Sequence, residues 1–200
     1  MRARLEALRR RAQAAILTVF EPLLAGLVRL GVGPNALTVA GLVLCLGAGA
    51  LLVAGMIRWA GVMFLVGSAL DMFDGALARR TGGGTPLGAF LDSSLDRVGE
   101  GALLCALTYH FAARGAALDA ALSAVVLTGS LLTSYLRARA EALGGDCTVG
   151  WISRTERVLL LAAGLILGRP EPAIWLLAGL TWWTVGQRLL HVSRQFRAPH

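Results

Sequence analysis

Between Arg29 and Arg58 the chain carries no charged residue, and 35–57 alone is long enough to cross a hydrocarbon core of about 30 Å as a helix. Five further apolar runs predict helices over 59–80, 86–112, 116–142, 152–168 and 171–195, with short connections at Arg58, Gly82-Gly83-Gly84, Arg114, Gly144-Gly145 and Arg169-Pro170. Uncharged residues in the fifth run extend only from Val158 to Gly168, so that span must include Arg157 or tilt into the bundle. Upstream the pattern changes. Leu5, Leu8, Ala12, Ile16, Val19, Phe20, Leu23, Leu24 and Leu27 recur at three- or four-residue steps, with Arg2, Glu6, Arg9 and Arg10 between them. This predicts an amphipathic helix on the membrane surface, bent or divided at Pro22; a coiled-coil partner helix is the alternative, for which the repeat is short. The expected fold is all-α and integral to the membrane: six transmembrane helices after an N-terminal amphipathic juxtamembrane helix. It forms one domain over 1–200, with 1–30 as the juxtamembrane helix and 31–200 as the six-helix bundle.

Composition agrees with this pattern. A hydrophobic fraction of 56% excludes an ordinary soluble globule of this length, as does a mean hydropathy of +0.67. The 25 glycines would loosen a soluble chain, but inside membrane spans they let helix backbones approach. Gly41, Gly47, Gly55, Gly61, Gly67, Gly99 and Gly101 are therefore read as packing contacts. All 19 basic residues are Arg, and they cluster. Arg2, Arg4, Arg9, Arg10, Arg11 and Arg29 precede the first span; Arg79 and Arg80 end the second; Arg137, Arg139, Arg154 and Arg157 surround the fourth connection; Arg194 and Arg197 close the chain. The opposite connections hold only Arg58, Arg114 and Arg169, so the positive-inside rule places both termini on the cytoplasmic side of the cell membrane. A net charge of +7 in a soluble protein would suggest nucleic acid; spans of this length argue against it. The N-terminus does not read as a cleavable signal, because its apolar positions are periodic. Cys45, Cys105 and Cys147 show no metal spacing; the first two are read as small core residues. His110, His191 and His200 are read as interfacial or terminal.

Against this apolar background, four carboxylates stand out: Asp71, Asp74, Asp92 and Asp96. Acidic groups within or beside spans are costly unless something binds them. On helices the first two are three residues apart and the last two four apart, so each pair projects from one face and two helices could converge four oxygen ligands. That predicts a divalent-metal site, and the absence of nearby Cys or His favours Mg2+ or Mn2+ over zinc. Intramembrane carboxylates also line cation and proton transporters, but a transport path needs ligands across the whole membrane, and all four Asp lie near one face.

The spacing D-x2-D-G-x2-A-R-x8-G-x3-D-x3-D is filled by Asp71, Asp74, Gly75, Ala78, Arg79, Gly88, Asp92 and Asp96. At every fixed position it resembles the signature of the CDP-alcohol phosphotransferases (CDP-alcohol phosphatidyltransferases). That resemblance implies transfer of a phosphatidyl group from CDP-diacylglycerol to an alcohol with release of CMP, and a homodimer. Asp71, Asp74 and Asp92 are read as the ligands of a pair of Mg2+ or Mn2+ ions, and the resemblance implies Asp96 as general base; a fourth metal ligand or a salt-bridge partner is the other reading of Asp96. Contacts to the CDP moiety are implied for Asn35, Asp71, Gly75, Arg79 and Thr85. In isolation Asn35 is a helix cap and Arg79 a positive-inside anchor. Gly75 and Gly88 keep side chains away from the nucleotide or from the approach of the metal-bearing helices.

The acceptor is addressed by arginines. Arg137, Arg154 and Arg188 stand at the predicted cytoplasmic ends of the later helices, and several fixed cations suit a phosphorylated acceptor better than a neutral alcohol. The alternative is that they are topology charges, against which Arg188 weighs by lying within the last apolar run. With Gly82 to Thr85, Leu91 to Arg97, Ser134 to Glu141, Arg154 to Arg157 and Gln187-Arg188, the chain is similar to the bacterial phosphatidylinositol phosphate synthase branch. This implies 1D-myo-inositol 3-phosphate as acceptor and Arg137, Arg154 and Arg188 as its phosphate pocket. Arg137 stands where that branch commonly has Lys and Thr155 where Pro is usual, so glycerol 3-phosphate stays open as the acceptor. Glu100, a turn beyond Asp96, is read as a buried acid paired with Arg137 or Arg97.

Overall fold

A computed structural model describes residues 21–29, 31, 33–81 and 84–197, and the described residues form helices joined by short turns. The short α1 (Glu21–Arg29) precedes six further helices: α2 (Pro34–Val53), α3 (Ile57–Thr81), α4 (Pro86–Ala112), α5 (Ala117–Ala142), α6 (Arg154–Ile166) and α7 (Pro170–Arg197). They stand where the apolar runs predict them. Most of the expected amphipathic helix, residues 1–20, lies outside the described residues.

Among the described residues, three helical stretches are long and apolar enough to cross a membrane: Pro34–Val53, Ile57–Ala78 and Ala117–Ala142. With 27 and 28 residues, α4 and α7 reach about 40 Å at 1.5 Å per residue, but both carry charges along their length. The 13 residues of α6 make only about 20 Å, as the short fifth run anticipated. Large apolar side chains such as Val39, Val43, Trp59, Val66, Leu118, Trp175 and Trp183 face outward, as expected where the surrounding medium is lipid.

One apolar core joins α2 to α7 through Leu52, Phe64, Leu103, Leu107, Phe111, Leu165, Ile174 and Leu177. Helix α2 packs against both α3 and α4, α6 packs on α3, and α7 on α5 and α6. Glycines set the closest approaches. A Cβ added to Gly41 would lie 2.9 Å from the Gly67 carbonyl oxygen and one added to Gly67 2.9 Å from that of Gly41, so α2 and α3 touch backbone to backbone. Gly55 departs from the packing role expected of it. It lies between α2 and α3 at φ +82 with open space around it, and the Met56 N–H donates back to Leu51 O at 2.8 Å, so it ends a helix in the left-handed conformation that side chains disfavour. Cys105 faces outward and is not a core residue. His110 is buried, edge-on to Phe111 at 5.9 Å, where an interfacial position was expected. Cys147 is buried in the α5–α6 connection, and burial pushes its thiol above the usual range.

Candidate active site

The antiparallel course of the helices brings the N-termini of α2, α4 and α6 and the C-termini of α3, α5 and α7 to one end of the bundle. Asp71 and Asp74 lie near the end of α3, Asp92 and Asp96 near the start of α4, and both helices pack on α2 at this end. One carboxylate oxygen from each of Asp71, Asp74 and Asp92 lies within 4.8 Å of the others. Three carboxylates this close repel one another and need positive charge between or beside them. An all-oxygen set of this kind fits a hard divalent cation such as Mg2+ or Mn2+.

Asp96 is not in that group of three. Its Oδ1 accepts from Arg154 Nη2 at 2.7 Å, and Arg97 Nη1 lies 3.7 Å from its other oxygen. Arg154 also pairs with Asp71, so a single guanidinium ties Asp71 of α3 to Asp96 of α4. Arg154 Nε is buried and has no hydrogen-bond partner. Local structure places this arginine: Ser153 N–H donates to Glu156 Oε2 at 2.8 Å, closing the first turn of α6 with Arg154 as its first residue.

Beside the carboxylates opens a cleft of about 450 Å³ whose lining includes Asn35, Asp74, Gly75, Thr85, Gly88 and Asp92. Its volume is that of a small-molecule site. A second apolar cluster, of Leu37, Phe73, Ala76 and Leu77, joins the start of α2 to the end of α3. The start of α2 places Asn35 here but not as a cap: Gly33 is the capping residue, Pro34 fills the first turn, and Asn35 is exposed to the cleft. Thr85 caps α4 by accepting from Gly88 N–H at 3.0 Å, which still leaves its hydroxyl able to donate. A Cβ on Gly88 would stand 3.2 Å from both Asn35 Oδ1 and Thr85 Oγ1, so a larger residue would crowd these two polar groups. The Arg79 side chain lies outside the described residues.

Thr38 was not anticipated in the site. Its hydroxyl donates to Asp74 Oδ2 at 2.6 Å between two buried groups, fixing the orientation of that carboxylate. Its position in the Pro34 to Thr38 stretch, one turn into α2, was the available signal. Glu100 pairs with neither Arg137 nor Arg97, contrary to expectation. It takes a forked ion pair from Arg157, at 2.8 Å from Nε and 3.1 Å from Nη2, because α6 inserts its first turns beside α4. Arg137 instead pairs with Glu141 on the exposed face of α5 at 2.8 Å. Arg188 donates to the carbonyls of Thr133 and, at 3.0 Å, Val149. The three arginines expected at the acceptor phosphate thus hold three different sets of partners.

Comparison with known proteins decides the family. The CDP-alcohol phosphatidyltransferase profile matches residues 32–188, a range that holds Asp71, Asp74, Asp92, Asp96, Arg137, Arg154 and Arg188. The chain belongs to that family. A phosphatidylinositol phosphate synthase of Corynebacterium glutamicum is 39% identical over 88% of this chain and 84% of its own length. An archaetidylinositol phosphate synthase of Pyrococcus horikoshii is 33% identical over 84% of this chain and 88% of its own. Among solved structures, Mycobacterium tuberculosis phosphatidylinositol phosphate synthase with CDP-DAG bound superposes with a TM-score of 0.79 at 31% identity, covering 86% of this chain and 92% of that one. The same synthase in complex with manganese and citrate gives a TM-score of 0.78 at 31% identity, over 86% and 87% of the two chains. This phosphatidyltransferase therefore presents its signature carboxylates at the mouth of a ligand-sized cleft.

Proposed function

We propose that this phosphatidyltransferase transfers the phosphatidyl group of CDP-diacylglycerol to inositol 3-phosphate and releases CMP. The observation that carries the reading is the meeting, at one end of the bundle, of the Asp71, Asp74 and Asp92 carboxylates, the cleft beside them and the Arg154 guanidinium. Relatives named phosphatidylinositol phosphate synthase, and one of them solved with CDP-DAG bound, support both substrates.

Asp71, Asp74 and Asp92 would hold Mg2+ or Mn2+, which when bound offsets diphosphate charge and improves CMP as a leaving group. The cleft takes the cytidine end of the donor, with Asn35 and Thr85 supplying polar contacts and Gly75 and Gly88 keeping its wall low. The acceptor hydroxyl oxygen attacks the phosphatidyl phosphorus, forming one P–O bond as the bond to the CMP oxygen breaks. Asp96 takes the proton from that hydroxyl; its carboxylate, 10% exposed, is largely shielded from water. Arg154 stands beside Asp96, and its buried Nε is a donor left over for an acceptor phosphate oxygen. Arg188 and Arg137 complete a cationic approach to the same end of the bundle.

We also read residues 31–200 as one six-span bundle with this end in the cytoplasm and residues 1–30 along the membrane surface, as a homodimer. The asymmetric placement of arginines along the sequence supports the orientation. The test of function is direct: purified protein is given CDP-diacylglycerol with Mg2+ or Mn2+, then inositol 3-phosphate, glycerol 3-phosphate, inositol or serine separately, and CMP and the lipid product are identified. Preference for unphosphorylated inositol or serine would refute the phosphate-acceptor reading, and preference for glycerol 3-phosphate would refute the inositol assignment.

A further inference from the structure

Behind the carboxylates lies a polar network that none of the chemistry above uses. Glu100 and Arg157 are 6% and 4% exposed, and their forked pair is joined by Ser130 Oγ, which donates to Glu100 Oε1 at 2.6 Å. Arg157 Nη1 reaches Thr133 Oγ1 at 3.4 Å, and the Thr133 hydroxyl donates on to Ser130 O at 2.8 Å. The carbonyl of the same Thr133 accepts from Arg188. One connected set of bonds therefore runs through α4, α5, α6 and α7.

Its register relative to the active site is the informative feature. Glu100 is four residues after Asp96 on α4, and Arg157 is three residues after Arg154 on α6, so each member of the buried pair stands one turn from a member of the Asp96–Arg154 pair. The two helices are joined by two parallel rungs. The outer rung is partly open, with Arg154 27% exposed; the inner one is dry, with side-chain exposures of 5% and 8%. Buried ion pairs are weak sources of stability compared with apolar packing of the same volume, whereas their fixed geometry is well suited to setting register. Helix α6, 13 residues long, packs on α3 and α7, so these two ion pairs are what ties its first turns to α4.

We propose that Glu100 and Arg157 are positioning residues that set the rotation and height of α6 on α4, and so fix Arg154, and through Thr133 also Arg188, where they receive the acceptor phosphate. The proposal rests on the acceptor reading given above for those two arginines. Neither Glu100 nor Arg157 touches substrate; both act through the arginines that do.

The test compares Arg154→Ala, Arg157→Lys and the double variant Glu100→Gln/Arg157→Met with the unaltered enzyme, as purified full-length protein counted by CDP-diacylglycerol binding. The double variant removes both charges, so neither is left buried without a partner. Lysine keeps the charge of Arg157 but cannot fork. For both, the expected result is a KM for inositol 3-phosphate raised about tenfold, the order expected when charged hydrogen bonds are weakened and not lost, with the KM for CDP-diacylglycerol unchanged. Ser130→Ala, which deletes one bond and keeps both charges, is the milder variant should the others melt; it should raise the same KM by a smaller factor. A lowered Tm with an unchanged acceptor KM would make the pair a packing element and overturn the proposal. If Arg154→Ala itself leaves the acceptor KM unchanged, the phosphate reading of Arg154 is what fails; if it raises KM while the Glu100 and Arg157 variants do not, the positioning role fails alone.

Discussion

Replacing Arg154 by Ala removes a side chain that pairs with carboxylates on both α3 and α4. In the structure its guanidinium pairs with Asp71 and, at 2.7 Å, with Asp96, and its Nε is an unused donor. A charged hydrogen bond to the acceptor phosphate is worth about 1.5 to 3 kcal/mol, which converts to a rise in acceptor KM of roughly ten- to a hundredfold. Uniform loss of acceptor binding leaves kcat at saturating acceptor less affected than KM. Arg154→Lys should fall between, because an ammonium keeps the charge and loses the fork. The same substitution makes an opposite prediction for the metal: taking a cation away from Asp71 strengthens the field felt by Mg2+ or Mn2+, so half-maximal activity should need less metal, not more. The assay is initial-rate CMP release in detergent micelles at saturating CDP-diacylglycerol, with inositol 3-phosphate titrated in one series and Mn2+ in another. Wild-type acceptor kinetics in Arg154→Ala would refute the reasoning, since a charge serving topology alone tolerates loss among many neighbours. A demand for more metal would refute the electrostatic part of it.

Three further outcomes are expected. Asp71→Asn, Asp74→Asn and Asp92→Asn should each abolish transfer, as should EDTA, because each removes one oxygen ligand from a set of three within 4.8 Å; full turnover in EDTA would exclude the metal site. Asp96→Asn should abolish turnover while CDP-diacylglycerol binding, measured by equilibrium retention of the labelled lipid, stays near wild type; if binding collapses with turnover, Asp96 is a structural or metal group and not the base. Gly67→Ala places a methyl 2.9 Å from the Gly41 carbonyl oxygen and should lower stability by about 1 to 3 kcal/mol, read as a drop in Tm in detergent; an unchanged Tm would mean that α2 and α3 separate at little cost.

What was legible in the sequence was whatever depends on spacing within one helix. The long uncharged runs located the helices, and the i,i+3 and i,i+4 intervals located carboxylates on shared faces, because helical periodicity is a local property. What the sequence left hidden depends on how separate helices dock. Four equivalent carboxylates could be drawn from spacing alone, but the structure brings Asp71, Asp74 and Asp92 together and turns Asp96 to Arg154, a distinction made by where α6 enters. Glu100 illustrates the same limit. Arg97 is a near neighbour in sequence and Arg137 lies on the next helix, yet the partner is Arg157, 57 residues away, because α6 presents its guanidinium at the depth of that carboxylate. Asn35 could not be told from a cap by its type, because the turn begins two residues earlier, at Gly33.

The place of Asp96 beside Arg154 bears on how the site works. Asp96 is better suited to act as a base apart from the three-carboxylate group than within it, because a carboxylate ligated to a metal loses much of its basicity. As the proposed base, Asp96 has the Arg154 cation beside it. On the proposed reading, an acceptor phosphate arriving at Arg154 competes with Asp96 for the guanidinium, which frees the carboxylate to take the proton as the hydroxyl arrives with its phosphate. An unphosphorylated polyol offers no such anion. Discrimination between inositol 3-phosphate and inositol should therefore appear in kcat as well as in KM, and a difference confined to KM would show that Arg154 binds the acceptor without tuning Asp96.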